Sequence, residues 1–367
     1  SDEIAERNVY DRATGRLAEI RSGPFMVPTA LQSYAYEWDV VGNLVARHNR
    51  RTSPVQSERF TYDALNRLIQ ASLNGTRTVG MTYSADGNIR SRSDVGSYSY
   101  GTGTQPPHGV VAVAGGPRGS MSFSYDANGN MTSRNGTTLA WTSFNLPRQL
   151  SRGADFARFT YGPDRARIVQ ETRTGSTQKT IHYVGPHFEV EMEGSSKRYR
   201  ATVFAHGRAV YSQLESTPNG LEAYYVLHDH AGSVDRLVRA AGAGANIFTL
   251  SFDVWGKRRN SNWSVDASDQ RYGDTHWVER GYTGHEHIDN MQLIHMNGRL
   301  QDPLLGRMLA PDPVMAGMLD PQALNPYSYA ANNPASYFDP SGYLFSKLRK
   351  FIRRGVRHAG HFGQRLV

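Results

Sequence analysis

The 367-residue chain is longer than an average domain, but repetitive all-β chains run long as one unit, so length alone leaves the domain count open. Without cysteine there is no disulfide framework, thiolate metal site or cysteine nucleophile, and no stretch nears the 18 consecutive apolar residues of a membrane-spanning helix. The 41 basic and 33 acidic side chains leave +8, yet seven of the bases and none of the acids lie in 344–367, so the body is nearly neutral and no nucleic-acid binding is expected of it.

A hydrophobic content of 38% supports a real core. The 36 glycines, 17 prolines and an excess of tyrosine (20) over phenylalanine (14) favour many short strands and turns. The start, Ser1-Asp2-Glu3-Ile4, lacks the basic and apolar regions of a signal peptide, so no Sec signal is expected in this chain.

Along the chain a unit recurs: an aromatic, Asp, two or three spacers, Gly or Asn, Asn or Arg, then an aliphatic residue. It stands at Tyr10-Asp11 to Gly15-Arg16-Leu17, at Trp38-Asp39 to Gly42-Asn43-Leu44 and at Tyr62-Asp63 to Asn66-Arg67-Leu68. Further copies are Tyr83 to Asp86-Gly87-Asn88-Ile89 and Tyr125-Asp126 to Gly129-Asn130-Met131, with a degenerate one at Tyr161 to Asp164-Arg165. Successive aromatics at 10, 38, 62 and 83 lie 28, 24 and 21 residues apart, a period with insertions. Alternation such as Phe60-Thr61-Tyr62 predicts strands, and Asp-x-x-Gly-Asn predicts a turn that tolerates a left-handed residue. One hairpin is marginal in water, so the copies are expected to pair edge to edge in a single winding sheet with the aromatic rings on a common face. Trp141 to Pro147 is an aromatic-rich turn, weighed as a sugar-binding loop and expected instead to pack as part of a repeat.

The repeat resembles the Rhs or YD-repeat family, which includes bacterial polymorphic toxins, the C components of Tc insecticidal complexes and the teneurins. The resemblance extends in order through Tyr224-Tyr225 to Gly232-Ser233, Phe252-Asp253-Val254-Trp255-Gly256 and Gly281-Tyr282-Thr283-Gly284-His285-Glu286. Its most specific stretch is Asn297-Gly298-Arg299 to Asp312-Pro313, continued by Asn325-Pro326-Tyr327 to Asn333-Pro334 and by Asp339-Pro340-Ser341-Gly342. It implies an all-β fold in which hairpins spiral into a hollow shell. On this basis 1–220 is the YD-repeat spiral, 221–343 an Rhs-associated core closing it, and 344–367 a cationic linker or the start of a C-terminal toxin.

The resemblance further implies an aspartic peptidase that cuts its own chain once, after Tyr343 and before Leu344, with Asp312 and Asp339 as the carboxyl pair and Arg299 as the helping cation. Amide hydrolysis suits such a pair, since one carboxylate activates water and one protonated carboxyl serves the leaving nitrogen. Two features depart from the family pattern: the 27-residue spacing of Asp312 and Asp339 is about four residues longer, attributed to an insertion over 315–322, and Tyr343 stands where leucine is usual. By residue type alone, Asp302, Asp312, Asp320 and Asp339, each followed by proline, are turn initiators, and Asp302 and Asp320 are kept as such.

Leu344, Phe345, Leu348, Phe351, Ile352 and Val356 recur at helical spacing, which predicts a short cationic amphipathic helix. His285-Glu286-His287 with His295 invites a metal site, as do His228 and His230, but without a definite further ligand these are expected to be hydrogen-bonding positions. No cofactor or metal is implied. The expected function is a toxin shell that encloses a C-terminal effector and releases it by self-cleavage. Its partners would be that effector, secretion-system or upstream shell components and a cognate immunity protein, and it would be secreted or delivered into a target cell. The alternative is a non-cleaving secreted surface protein that recognises carbohydrate or another cell.

Overall fold

The computed structural model describes residues 4–216, 220–240, 247–265, 279–314, 322 and 324–343. Twenty-three strands, from Ile4–Tyr10 to Ile247–Thr249, form one antiparallel sheet in which each strand pairs with the next in sequence. In such a meander alternate turns share a rim, so all copies of the repeated turn lie along one edge. Among the described residues there is no α-helix, only three 3-10 turns. The amphipathic helix expected over 344–367 lies outside the described residues.

Each part of the repeat has a mechanical task. The aspartate closes the turn with its carboxylate: Asp39 Oδ1 accepts the amides of Val41, Gly42 and Asn43 at 2.8–3.0 Å, and Asp63, Asp126, Asp229 and Asp253 do the same in their turns. The next position takes a left-handed backbone, at Gly42 (φ 102), Asn66 (φ 61), Gly87 (φ 81) and Gly129 (φ 81), which is why glycine or asparagine recurs there. The aliphatic residue that follows is the core peg: Leu44, Leu68, Ile89 and Met131 are all essentially without exposed surface.

The aromatic residue ties one repeat to the one before. Tyr62 donates to Leu44 O, Tyr83 to Leu68 O, Tyr100 to Ile89 O, Tyr125 to Val110 O and Tyr161 to Pro147 O, all at 2.6–3.0 Å. Trp38 and Trp141 make the same bond through Nε1, to Leu17 O and Met131 O. The rings pack against the main core, so the common aromatic face expected from the repeat is present, and Trp141 belongs to it. The register slips by one residue just before Trp38, Tyr62, Tyr83, Tyr125 and Tyr161, a bulge per repeat that strengthens local twist.

This twist winds the sheet until its beginning meets its end. Gln32 donates to His228 O (3.1 Å) and to Asp235 Oδ2 (2.7 Å), and Tyr34 donates to Asp235 Oδ1 (2.7 Å). The meeting is made by side chains, not by ladder bonds, as in a spiral and unlike a closed barrel. Inside it lies the C-terminal part of the chain, carrying a four-stranded sheet of Glu286–Ile288, Leu293–His295, Leu300–Asp302 and Arg307–Met308. Arg134 donates to Asp302 Oδ2 (2.6 Å), Tyr98 to Leu305 O (3.1 Å), and Met131 N to Leu309 O (2.9 Å). Wound sheet and inner segment therefore share one core, whose largest fully buried side chain is Trp255.

Two expectations test this mechanics. Tyr83→Phe removes one rung and is expected to cost about 1 kcal/mol, read as a lower midpoint in thermal unfolding. Glu58 is buried between Arg47 (2.7 Å) and Arg259 (3.0 Å). Burial alone would raise its pKa, but the two guanidinium groups outweigh burial and bring it down to about 2 from 4.5. A depressed carboxyl pKa contributes stability that is complete above the unfolded pKa and is lost as pH falls through the folded one. Glu58→Gln is thus expected to cost roughly 3 kcal/mol at pH 7, with the gap from wild type closing between pH 4.5 and about 2 in denaturant titrations.

Candidate functional site

The residues of interest converge where the inner segment turns back on itself. Arg299 follows a tight turn in which Met296 N donates to Arg299 O (2.9 Å) and Asn297 takes φ 62. It leads into strand Leu300–Asp302, whose pairing fixes the direction of the side chain. Asp312 is positioned by its own amide, which donates to Pro326 O (2.9 Å), and Asp339 precedes Pro340, which holds it out of helical backbone.

One guanidinium group gathers four acceptors. Arg299 Nη2 lies 2.9 Å from Asp312 Oδ2 and 3.2 Å from Asp339 Oδ2, Nη1 donates to Pro326 O (3.1 Å), and Nε donates to Gly342 O. Arg299 and Asp339 are buried, at 3% and 4% exposure, and Asp312 is half-buried. The three residues singled out from the family pattern are therefore brought together, and the longer Asp312 to Asp339 spacing has not separated them. Both aspartates also cap local backbone: Asp312 Oδ1 accepts Val314 N (2.9 Å) and Asp339 Oδ1 accepts Ser341 N (3.2 Å). Turn capping and pairing are carried by different oxygens of the same carboxyl.

Burial pushes the Asp312 carboxyl above its ordinary range; Arg299 opposes the shift and the charge of Asp339 adds to it. The Asp312 carboxyl thus keeps a proton to higher pH than an exposed aspartate, as a proton donor requires. Burial also raises the Tyr343 phenol. His285, considered above only as a metal ligand or hydrogen-bonding residue, stands beside the Asp339-Pro340 segment: Thr283 Oγ1 meets its Nδ1 at 2.9 Å, and burial lowers its pKa to about 4 against the pull of Asp339 and the Pro340 carbonyl. Its sequence signals were its place in the Gly-Tyr-Thr-Gly-His motif and in the His285-Glu286-His287 triplet, neither of which points to the Asp339 segment.

The other candidates disperse. Asp302 is a turn residue, accepting Leu304 N and Leu305 N at 2.8 and 3.0 Å, and is also the buried partner of Arg134. Asp320 and Leu344 lie outside the described residues. Glu286 is engaged by Arg167, Arg280 and Tyr183, His287 accepts Tyr282 N (3.0 Å), His295 meets Tyr161 Oη (3.1 Å), and His230 Nε2 meets Ala335 O (3.0 Å). Burial brings the pKa of His228 down to about 4. Among the described residues no group of three or more His, Asp or Glu side chains is placed to hold a metal ion.

Hairpins wound around their own C-terminal segment, roped to their predecessors from Trp38 to Tyr161 by aromatic side chains, define a β-spiral shell protein. Residues 29–335 match the family described as the teneurin YD-shell, and the chain belongs to this Rhs/YD-repeat family. It is 26% identical over 289 residues to the tRNA3(Ser)-specific nuclease WapA of Bacillus spizizenii, covering 77% of this chain and 12% of that protein. It is 25% identical over 314 residues to double-stranded DNA deaminase toxin A of Burkholderia cenocepacia, covering 85% of this chain and 17% of that one. Among solved structures, the crystal structure of TcdB2-TccC3 superposes with a TM-score of 0.68 at 19% identity, over 92% of this chain and 19% of that one. The chain is thus a toxin-related YD shell that spans less than a fifth of the length of these relatives.

Replacing Arg299 by methionine would leave two carboxyl groups facing each other in a largely dry site. Arg299→Met is expected to destabilise the protein by about 3–5 kcal/mol at neutral pH, and by less at acid pH as one carboxyl takes up a proton, which unfolding curves at two pH values would show.

Proposed function

We propose that this chain is the C-terminal part of an Rhs-type toxin shell that encloses a C-terminal effector and releases it by one intramolecular cut after Tyr343. The observation that carries this reading is the Arg299 guanidinium, which binds both Asp312 and Asp339 and also grips Gly342 O, the carbonyl one residue before the bond to be cut. Holding the bond beside the acid pair in the folded chain supplies the proximity that a bimolecular reaction lacks.

In the cut, Asp339 takes a proton from a water molecule whose oxygen attacks the Tyr343 carbonyl carbon. The carbonyl π electrons move to oxygen, giving a tetrahedral intermediate. As its oxyanion reforms the carbonyl, the bond to the Leu344 nitrogen breaks, and that nitrogen takes the proton carried by Asp312. A carboxyl whose pKa is raised is suited to the second role. Arg299 balances the negative charge that passes between the two aspartates and fixes the segment that carries the bond. Since the substrate is the chain itself, each molecule reacts once.

The partners of this function are the effector segment inside the shell, the upstream shell or secretion-system components that deliver it, and an immunity protein against the effector. The relatives that are nucleases, deaminases or toxin complexes support a setting of delivery into another cell.

Denaturing gels and intact-mass measurement test the reading. Wild type is expected to give a chain ending at Tyr343 and a 24-residue fragment beginning at Leu344, whereas Asp312→Asn and Asp339→Asn remain at 367 residues. Because the Asp312 pKa is raised, its proton is lost only as pH climbs through that value, so the rate is expected to fall on the alkaline side. A wild-type chain that stays whole through prolonged folding would sink the proposal and favour the non-cleaving surface protein.

A further inference from the structure

We propose that the turn at 296–299 is the seat for the side chain preceding the cut, and that Gly298 decides which side chains it accepts. The inference deepens the self-cleavage reading and rests on it for the position of the cut. Its basis is the way residues 341–343 lie on the turn.

Glycine at 298 is required by space and not by backbone conformation. A Cβ there would stand 2.4, 2.5 and 2.6 Å from Cε2, Cζ and Cδ2 of the Tyr343 ring, closer than carbon atoms approach. The ring therefore occupies the volume in which any other residue 298 would place its side chain. Gly298 is not among the positive-φ residues, so alanine is conformationally allowed and only the ring excludes it. Gly342 is the converse: it takes φ +71, and its own Cβ would fall 2.2 Å from Met296 O and 2.9 Å from Gly298 N. The two glycines let the two backbones touch.

Backbone bonds lock the approach. Gly298 N donates to Met296 O (2.8 Å) and shares its hydrogen with Ser341 O (3.1 Å), Tyr343 N donates to Ser341 Oγ (3.3 Å), and Arg299 Nε donates to Gly342 O. The residue that grips Gly342 thus adjoins the residue that seats Tyr343, so side-chain fit at 298 is coupled to the placement of the next peptide bond. The charges of Arg165, Arg299 and Asp312 act on the phenol, while burial raises its pKa. A flat aromatic or a slender unbranched side chain can lie over a bare Cα. A β-branched one has a second carbon at the point of closest approach and cannot.

The test uses the full chain and two independent readouts. Gly298→Ala is expected to slow self-cleavage about tenfold or more on denaturing gels, because a misplacement of about 1 Å has effects of that order. In an Asp339→Asn background, where the chain stays whole, Gly298→Ala is expected to speed hydrogen exchange at the amides of Gly342 and Tyr343 about tenfold. Adding Tyr343→Ala removes the ring and is expected to return the Gly298→Ala chain to within about threefold of the Tyr343→Ala single variant, a rescue that general misfolding would not permit. Unchanged exchange in Gly298→Ala, or failure of the double variant to recover, overturns the seat. If exchange responds but wild type never cuts, the seat stands as a docking site for Tyr343 and self-cleavage is what fails.

Discussion

The hydrogen bond from an aromatic side chain to the main-chain carbonyl of the preceding repeat is the constraint on which the remainder depends. A strand ladder joins neighbours through their backbones but leaves the curvature of a long meander open. A ring that is buried on one side and must satisfy its polar end on the other has a single place to go. From Trp38 to Tyr161 that place is a carbonyl at or near the aliphatic peg that closes an earlier turn. Combined with a register slip at each of these aromatics, the bond turns local twist into continuous winding.

Winding creates an inner surface, and the chain fills it with its own later residues. Beside the shared apolar core, polar contacts hold the inner segment: Arg47, Arg92, Arg134 and Arg167 each reach from the sheet to a carbonyl or carboxylate of the segment. Such groups cost desolvation that only a well-placed partner offsets, so losing one member of a pair is far more costly than the pair is stabilising. The same holds at Arg299, whose partners are two carboxyl groups and the carbonyl of Gly342.

The repeat was legible because each of its letters answers a local demand. Asp closes a turn, Gly or Asn accepts positive φ, and an aliphatic residue fills the core, so Asp39, Gly42 and Leu44 could be assigned before any tertiary structure was known. The strands between Arg167 and Ser216 were harder, since no clear copy of the unit marks them. There the buried positions mix polar and apolar residues: Glu191 is buried against Arg198 and opposite Ile181, while the apolar Phe188 and Val203 are exposed. A hydrophobic pattern cannot say which face is inner in that case. At the site, Asp312, Asp339 and Arg299 were found by resemblance, whereas residue type alone favoured turns. His285 and Gly298 were passed over because their importance comes from neighbours roughly forty to fifty-five residues away, a separation no local pattern records.

The strands of the meander run from three residues, as in Ile247–Thr249, to ten, as in Ser196–Ala205. All repeated turns sit on one edge of the sheet, and the inner segment docks there: Asn333 donates to Asn43, Asn325 to Asn88, and Tyr327 to Gly129 O. The far edge carries tight hairpins such as Asn74-Gly75 and Asn135-Gly136 beside longer loops over 25–31, 50–55 and 115–120. The hem of repeated turns thus carries a series of ties, and the far edge is held at Asn290, which accepts from Arg152 and donates to Arg173 O. A hairpin lengthened at its far end would leave the ties of the hem in place, like a curtain let down without moving its rail.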